Sequence, residues 1–315
     1  MNRAEELKKL RKLMNTLPED QPPREDKIYI GVEKIKVKMI DWPQNPYKAI
    51  YSLAAATWGS AKNWAEKWRK TSVQGRILVV KAALSGQTLP QCLETPSFTF
   101  EIQGLSRSAF DQLARTRQSA IGSVGFRDNS HRDACLRISS SMAKYKDKIE
   151  KWWKDTKDLY DFLITEGREN WQNARAIMPM GTCWRFVWSM NYRALKDMCG
   201  KRMCFAEQSD TVATSWLIRE EIKKKFPFLA AYLRPFCDFS RKCLYQQAYS
   251  LSEAFGVLFK PCGRWPVDAK YEVATFNYSS TSKEELEKQL RIKIPNADDY
   301  IEEPSKKDMR YFEED

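Results

Sequence analysis

Between Gln112 and Arg127 the chain concentrates residue types that hold a phosphorylated ligand. Gln112, Arg115 and Arg117 are followed by a run of mostly small residues, Ser119 to Gly125, and then by Arg127. Guanidinium forks bind phosphate oxygens in pairs, and small residues let backbone N–H groups come close to an anion. The stretch therefore outlines an anion site. It also suits a solvated helix end and loop, because basic side chains near a helix C-terminus answer the macrodipole. The choice depends on the rest of the chain.

The whole chain is basic, with 53 Lys and Arg against 41 Asp and Glu over 315 residues and a net charge of +12. Such a balance calls for anionic partners: nucleic acid, an acidic membrane surface or phosphorylated small molecules. No apolar run reaches the roughly 20 residues of a membrane span, and the first residues alternate in charge, so no membrane association and a cytoplasmic location are expected. A single histidine, His131, rules out a multi-histidine zinc site, a His-Glu-x-x-His protease and a facial iron triad within one chain. His131 lies in the polar run Asp128 to Asp133 and reads as a surface residue. The eight cysteines contain no Cys-x-x-Cys pair and read as reduced, buried thiols, with no metal site among them. If the chain is an enzyme, its chemistry belongs to a cofactor or to the substrate.

The elements that position these residues are α+β, with helices dominant. Residues 1–25 read as a helical arm with a Pro-rich linker, 26–240 as the main domain and 241–315 as an extension ending in a mobile acidic tail from Asn296. Ile35, Val37 and Met39 alternate with Lys34, Lys36 and Lys38 as in a half-buried strand. Asn45-Pro46 opens a helix, Trp64 and Trp68 sit one turn apart on the next, and Gly75 separates that from a third, Arg76 to Leu84. Ser97 to Ile102 alternates as a strand, and Ser106 caps the helix leading into the arginine stretch. Helices are expected over Tyr145 to Thr165, with Ile149, Trp152, Leu159 and Phe162 on its apolar face, over Asn173 to Met178, over Cys183 to Met198, over Phe205 to Lys224 and beyond Pro227.

Several segments, in the right order along the chain, together resemble the flavin-dependent thymidylate synthases, the ThyX family. Arg115-Thr116-Arg117 followed by Arg127 resembles the family's Arg-His-Arg signature, with Gln112 three residues ahead. Gly86 to Pro90 and Glu94 to Phe100 resemble its Gly-His-x-Ser/Thr-Pro and Glu-His-x-x-Phe-Thr-Phe segments. Ala174-Arg175 to Pro179 resembles Ala-Arg-x-x-Leu-Pro, and Asn191-Tyr192-Arg193-Ala194-Leu195 resembles Asn-x-Arg-Ser-Leu. Lys201-Arg202 with Ala206-Glu207-Gln208 resembles Leu-Arg followed by Ala-Gln. The resemblance spans about residue 30 to about residue 235.

It implies a helix-rich ThyX-like fold with a small antiparallel or mixed sheet. It also implies a methyltransferase that moves a one-carbon unit from methylenetetrahydrofolate to the C5 of dUMP, with FAD bound and NADPH as reductant. Gln112, Arg115, Arg127, Arg175 and Arg202 would hold the nucleotide, Arg202 acting catalytically on the pyrimidine edge. Arg115, Arg117, Asn191 and Arg193 would hold FAD, and a homotetramer would share its sites between subunits. The sequence departs from the family at Gln87, Thr95 and Thr116, where histidines are expected, at Ser123 and Gly125 in the signature turn, and at Asp197 in place of Asn. These departures keep open a divergent methylase or hydroxymethylase acting on another pyrimidine nucleotide. The charge of +12 and the eleven tryptophans keep open a non-catalytic nucleic-acid-binding protein.

Overall fold

The computed structural model describes residues 23–57, 63–123, 130–243 and 282–314, together with Glu5, Cys262, Arg264 and Trp265. The expected N-terminal helix, Arg127, Gly125 and most of the chain beyond residue 243 up to 281 lie outside the described residues.

The strands are β1 (Ile28–Ile30), β2 (Lys36–Asp41), β3 (Ser97–Ser106), β4 (Ser119–Ser123), β5 (Leu136–Ile138) and β6 (Cys183–Asn191). A four-stranded sheet runs β2-β3-β6-β4 with antiparallel neighbours, and β1 pairs in parallel with β5. β3 and β6 form its centre because both alternate: Phe98 faces Met190, Phe100 faces Trp188 and Ile102 faces Phe186, all buried. Gly104 breaks the register of β3. It takes φ +85°, and a Cβ there would stand 2.6 Å from the Lys34 carbonyl oxygen.

The helix expected over Cys183 to Met198 is instead β6 followed by a helix. Trp184, Trp188, Tyr192 and Leu195 fit a helical face, but a four-residue step also returns to the same face of a strand. Trp184, Phe186, Trp188 and Met190 are buried at every second position, which a helix would not give. Trp184, Trp188 and Trp216 are core residues.

The helices are α1 (Pro46–Thr57), α2 (Trp64–Lys70), α3 (Val73–Leu84), α4 (Arg107–Leu113), α5 (Lys146–Thr165), α6 (Trp171–Ala174), α7 (Tyr192–Arg202), α8 (Ser209–Lys225), α9 (Pro227–Ala231), α10 (Phe236–Ser240), α11 (Lys283–Leu290) and α12 (Lys306–Glu313). Gly75 lies inside α3, whose cap is Ser72: the Gly75 N–H donates to Ser72 Oγ at 3.2 Å. α8 packs along β2 and β3 over the main core, and the Met39 N–H at the edge of the sheet donates to Glu221 Oε2 at 3.0 Å.

α5 turns a different face inward from the one its aliphatic and aromatic stripe suggests. Trp153, Lys157 and Tyr160 are fully buried, while Trp152, Leu159 and Phe162 are 49%, 48% and 50% exposed. The buried face is built around a cation: Lys157 Nζ donates to the carbonyls of His131, Arg132 and Ala134 at 2.8, 2.6 and 3.1 Å. Burial brings the Lys157 pKa down to about 8.

The acidic segment expected to be mobile packs onto α1, α3 and α9. Asp308 is fully buried, accepting from Tyr47 OH, from Ser305 N at 2.8 Å and from Ser305 Oγ at 2.6 Å. Phe312, also fully buried, stacks on Tyr47 with ring centroids 4.7 Å apart. Two of the acidic residues meet cations, Glu302 the buried Arg234 at 2.6 Å and Glu303 Lys81 at the surface. Net charge alone read this segment as solvated; its capping box and apolar pair, Ser305 to Asp308 and Tyr311-Phe312, were the signals for a docked helix.

Candidate functional site

α4 ends at Leu113, and the turn that follows carries the first arginines. The Thr116 N–H donates to the Leu113 carbonyl and Ser119 Oγ to the Thr116 carbonyl, both at 2.9 Å. Gln118 takes a left-handed conformation, φ +59°, as the chain swings into β4. The opposite wall is α7. Asn191, the last residue of β6, caps it by accepting the Ala194 N–H at 2.8 Å. Arg193, Asp197 and Lys201 then follow at four-residue steps on one face, with Arg202 beside Lys201.

Turn and helix enclose a cavity of about 390 Å³ lined by Arg115, Thr116, Arg117, Gln118, Arg193, Asp197, Lys201 and Arg202, with Ala194 and Met198 at its apolar floor. Five cations face one carboxylate. Two of the cations are held from behind: Arg193 pairs with Glu94, and Arg202 Nη1 donates to Glu207 Oε2 at 2.7 Å while its Nη2 reaches the Gln112 carbonyl at 3.2 Å. Asp197 pairs with Lys201 at 3.1 Å. Arg115 and Arg117 are solvent-exposed. This donor set fits a pyrophosphate or phosphate monoester, for which the arginine fork supplies paired N–H groups.

Behind the cavity a polar chain fixes the α4–α8 junction. Gln112 Nε2 donates to Gln208 Oε1 at 3.0 Å, Gln208 Nε2 to Ser108 Oγ at 2.8 Å, and Ser106 Oγ to buried Asp210 at 2.5 Å. Ser106 caps α4 as expected, accepting the Ala109 N–H at 3.2 Å.

The structure thus brings Arg115, Arg117, Arg193 and Arg202 together from segments about 80 residues apart. Gln112 lies behind them, its side chain engaged with Gln208. Asn191 serves as the cap of α7 and does not line the cavity. Arg175 sits on a 3₁₀ turn (Arg175–Ile177) that packs against α5 and does not line the cavity of its own chain. Ser123 ends β4, and the rest of the signature turn, with Arg127, lies outside the described residues. Lys201 and Gln118 were missed as site residues. The i, i+4, i+8 spacing of Arg193, Asp197 and Lys201 would have found the first; nothing local marks Gln118 for a left-handed turn.

His131 is not at the surface. It is buried, with its ring stacked on Trp184 at a 5.7 Å centroid distance and a 24° interplanar angle. The polar loop folds back because Lys157 gathers its carbonyls, a contact from 23 to 26 residues away that local composition does not reveal.

The sheet and its flanking helices form a fold shared with a solved structure. The UMP/dUMP methylase PolB from Streptomyces cacaoi, solved with 5-Br dUMP, superposes with a TM-score of 0.56 at 13% identity, over 65% of this chain and 96% of that one. The profile of the thymidylate synthase complementing protein family, Thy1, matches residues 38–228, and the chain belongs to that family. The flavin-dependent thymidylate synthase of Sulfurisphaera tokodaii is 26% identical over 223 residues, 70% of this chain and 85% of its own. That of Saccharolobus solfataricus is 29% identical over 208 residues, 64% and 78% respectively.

Proposed function

We propose that the chain is a flavin-dependent thymidylate synthase, converting dUMP to dTMP with methylenetetrahydrofolate and NADPH as co-substrates. The observation that carries this reading is the meeting of Arg115, Arg117, Arg193 and Arg202 around one cavity, inside the span that belongs to the Thy1 family. FAD, when bound, supplies the redox and one-carbon transfer chemistry. Arg115, Arg117 and Arg193 would hold its pyrophosphate, with Asn191 orienting α7. Gln112, Arg115, Arg127, Arg175 and Arg202 would hold the nucleotide. Arg202, fixed between Glu207 and the Gln112 carbonyl, directs its guanidinium to the pyrimidine edge and stabilises the negative charge that makes C5 nucleophilic.

A homotetramer with shared sites completes this reading. Arg175 stands away from the cavity of its own chain, so another copy would bring it in, and Trp152, Leu159 and Phe162 leave an apolar face on α5 for a subunit contact. Among the described residues no helix is long and apolar enough to cross a membrane, and we place the enzyme in the cytoplasm with its nucleotide substrate.

The purified protein should be yellow, and should form dTMP from dUMP only with methylenetetrahydrofolate and NADPH present. Colourless protein that takes up no FAD on reconstitution would overturn the proposal. Thr116 and Asp197, which line the cavity where the family pattern has His and Asn, favour one second reading: methylation or hydroxymethylation of a different pyrimidine nucleotide. Turnover of dCMP or UMP, with none of dUMP, would select it.

A further inference from the structure

α5 has two opposite sides. Trp153, Lys157 and Tyr160 are fully buried, and on the side turned away from them Trp152, Leu159 and Phe162 stand about half in solvent. Tyr145, which caps the helix and is 52% exposed, lies seven residues before Trp152, as Trp152 lies seven before Leu159. Seven residues make almost two whole turns, so these three side chains fall on one seam, with Phe162 one turn beyond Leu159. The seam is apolar and faces away from the body of its own chain, which is the form a helix presents to another helix.

The charge along α5 says which helix. Its first half carries Lys146, Lys148, Lys151 and Lys154 against two acids, and its second half carries Asp155, Asp158 and Asp161 against one buried lysine. Cations toward the N-terminus and anions toward the C-terminus oppose the macrodipole, so this order costs the lone helix stability. An antiparallel neighbour of the same order turns the cost into attraction, since its acidic half then lies along the basic half at both ends at once. The α5 of a second copy is such a neighbour. Lys151 and Asp158, themselves seven residues apart, border the seam on one flank. Asp158 pairs with Arg24 at 2.5 Å, yet its side chain stays 55% exposed and has room for a second cation.

We propose that α5 is a two-fold interface on which a second copy of the chain lays its own α5 antiparallel. Lys151 then faces Asp158 of the partner subunit. The same register sets Tyr145 against Phe162 of the partner subunit and Trp152 beside Asp155 of the partner subunit, whose carboxylate suits the indole N–H. Two-fold symmetry makes each contact twice, and the face needs no other protein to complete it. The contact supplies a partner and a geometry for the subunit assembly proposed above, and rests on that reading.

The test is sedimentation of the full chain without added flavin or nucleotide, with circular dichroism showing that each variant folds. Wild type should be oligomeric, and W152E/L159E should halve its mass. K151E and D158K should each raise the dissociation constant of this contact at least about 10-fold, because each sets like charges opposite one another twice in an antiparallel pair. An equimolar mixture of the two variants should recover the wild-type mass, since opposite charges then meet at both positions. A monomeric wild type, a W152E/L159E variant of unchanged mass, or a mixture that associates no better than its components would overturn the proposal. Single charge variants as tightly associated as wild type would do so too, since a parallel pair sets Lys151 against its own copy. Unchanged mass in W152E/L159E with dTMP formation intact would remove this pairing alone, whereas protein that pairs through α5 but forms no dTMP would remove the activity alone.

Discussion

Arg137 and Arg115 carry the same guanidinium to opposite ends. Arg137, buried between the two sheets, donates to the carbonyls of Gly104 at 2.7 Å and Glu33 at 2.7 Å and to that of Gly31 at 2.5 Å. Arg76 does likewise beneath α3, holding the carbonyls of Trp68, Thr71 and Phe312. Around the 390 Å³ cavity, Arg115 and Arg117 lie in solvent, while Arg193 and Arg202 are aimed by carboxylates. Where the N–H groups go separates a scaffold arginine from a ligand arginine. An arginine buried with three backbone carbonyls on its N–H groups is committed to the scaffold.

That contrast can be broken by substitution. The largest effect should come from Arg202→Ala, which should lower dTMP formation at least about 100-fold, roughly 3 kcal/mol of transition-state stabilisation, while flavin absorbance is retained. Unchanged turnover would remove Arg202 from the chemistry. Arg137→Met should act on the fold instead, lowering unfolding free energy by about 3 kcal/mol in urea titrations because three carbonyls lose their donor. Arg115→Ala should do the reverse: stability within about 0.5 kcal/mol of wild type, but dUMP and FAD each bound about 10-fold more weakly in fluorescence titrations. Equal loss of stability in the two variants would erase the distinction.

A subtler check concerns Lys157, a scaffold cation whose pKa is lowered to about 8 by burial. Between about 8 and its ordinary value near 10.5 the unfolded chain binds the proton and the folded chain does not, so this group's contribution to stability rises with pH there. The urea midpoint of wild type relative to Lys157→Met should therefore increase from pH 7.5 to pH 10, these test values being roughly the two sides of the shift. A falling difference would mean that the ammonium form is the one the loop requires. The smallest effect is expected at Gln118, where a left-handed non-glycine residue costs about 1 kcal/mol. Gln118→Gly should raise the melting temperature slightly while loosening the cavity turn, seen as a higher KM for dUMP.

Much of this was legible in the sequence. Alternation gave β2 and β3, and Ser106 gave the start of α4. The order of arginine motifs gave Arg115, Arg117, Arg193 and Arg202, which the fold gathers on one cavity. What failed did so for identifiable reasons. Residues 183–191 satisfy both a two- and a four-residue repeat, so periodicity alone could not choose between strand and helix. α5 buries Lys157 and leaves Trp152 exposed because three loop carbonyls need a donor, a requirement set by residues distant in sequence. The burial of His131 follows from the same contact. The docking of residues 282–314 depends on Asp308 meeting Tyr47 and Phe228, partners 261 and 80 residues away.

One of the two outer strands of the main sheet, β2, has a further consequence. β2 is an edge, and an open edge is a template on which another chain can add a strand. Here Glu221 occupies the Met39 N–H, and Lys36 and Lys38 project into solvent along the same strand, with Lys34 exposed in the turn before it. A second copy approaching edge to edge would meet a row of like charges and a backbone donor already taken. The strand is therefore guarded against sheet extension along this edge.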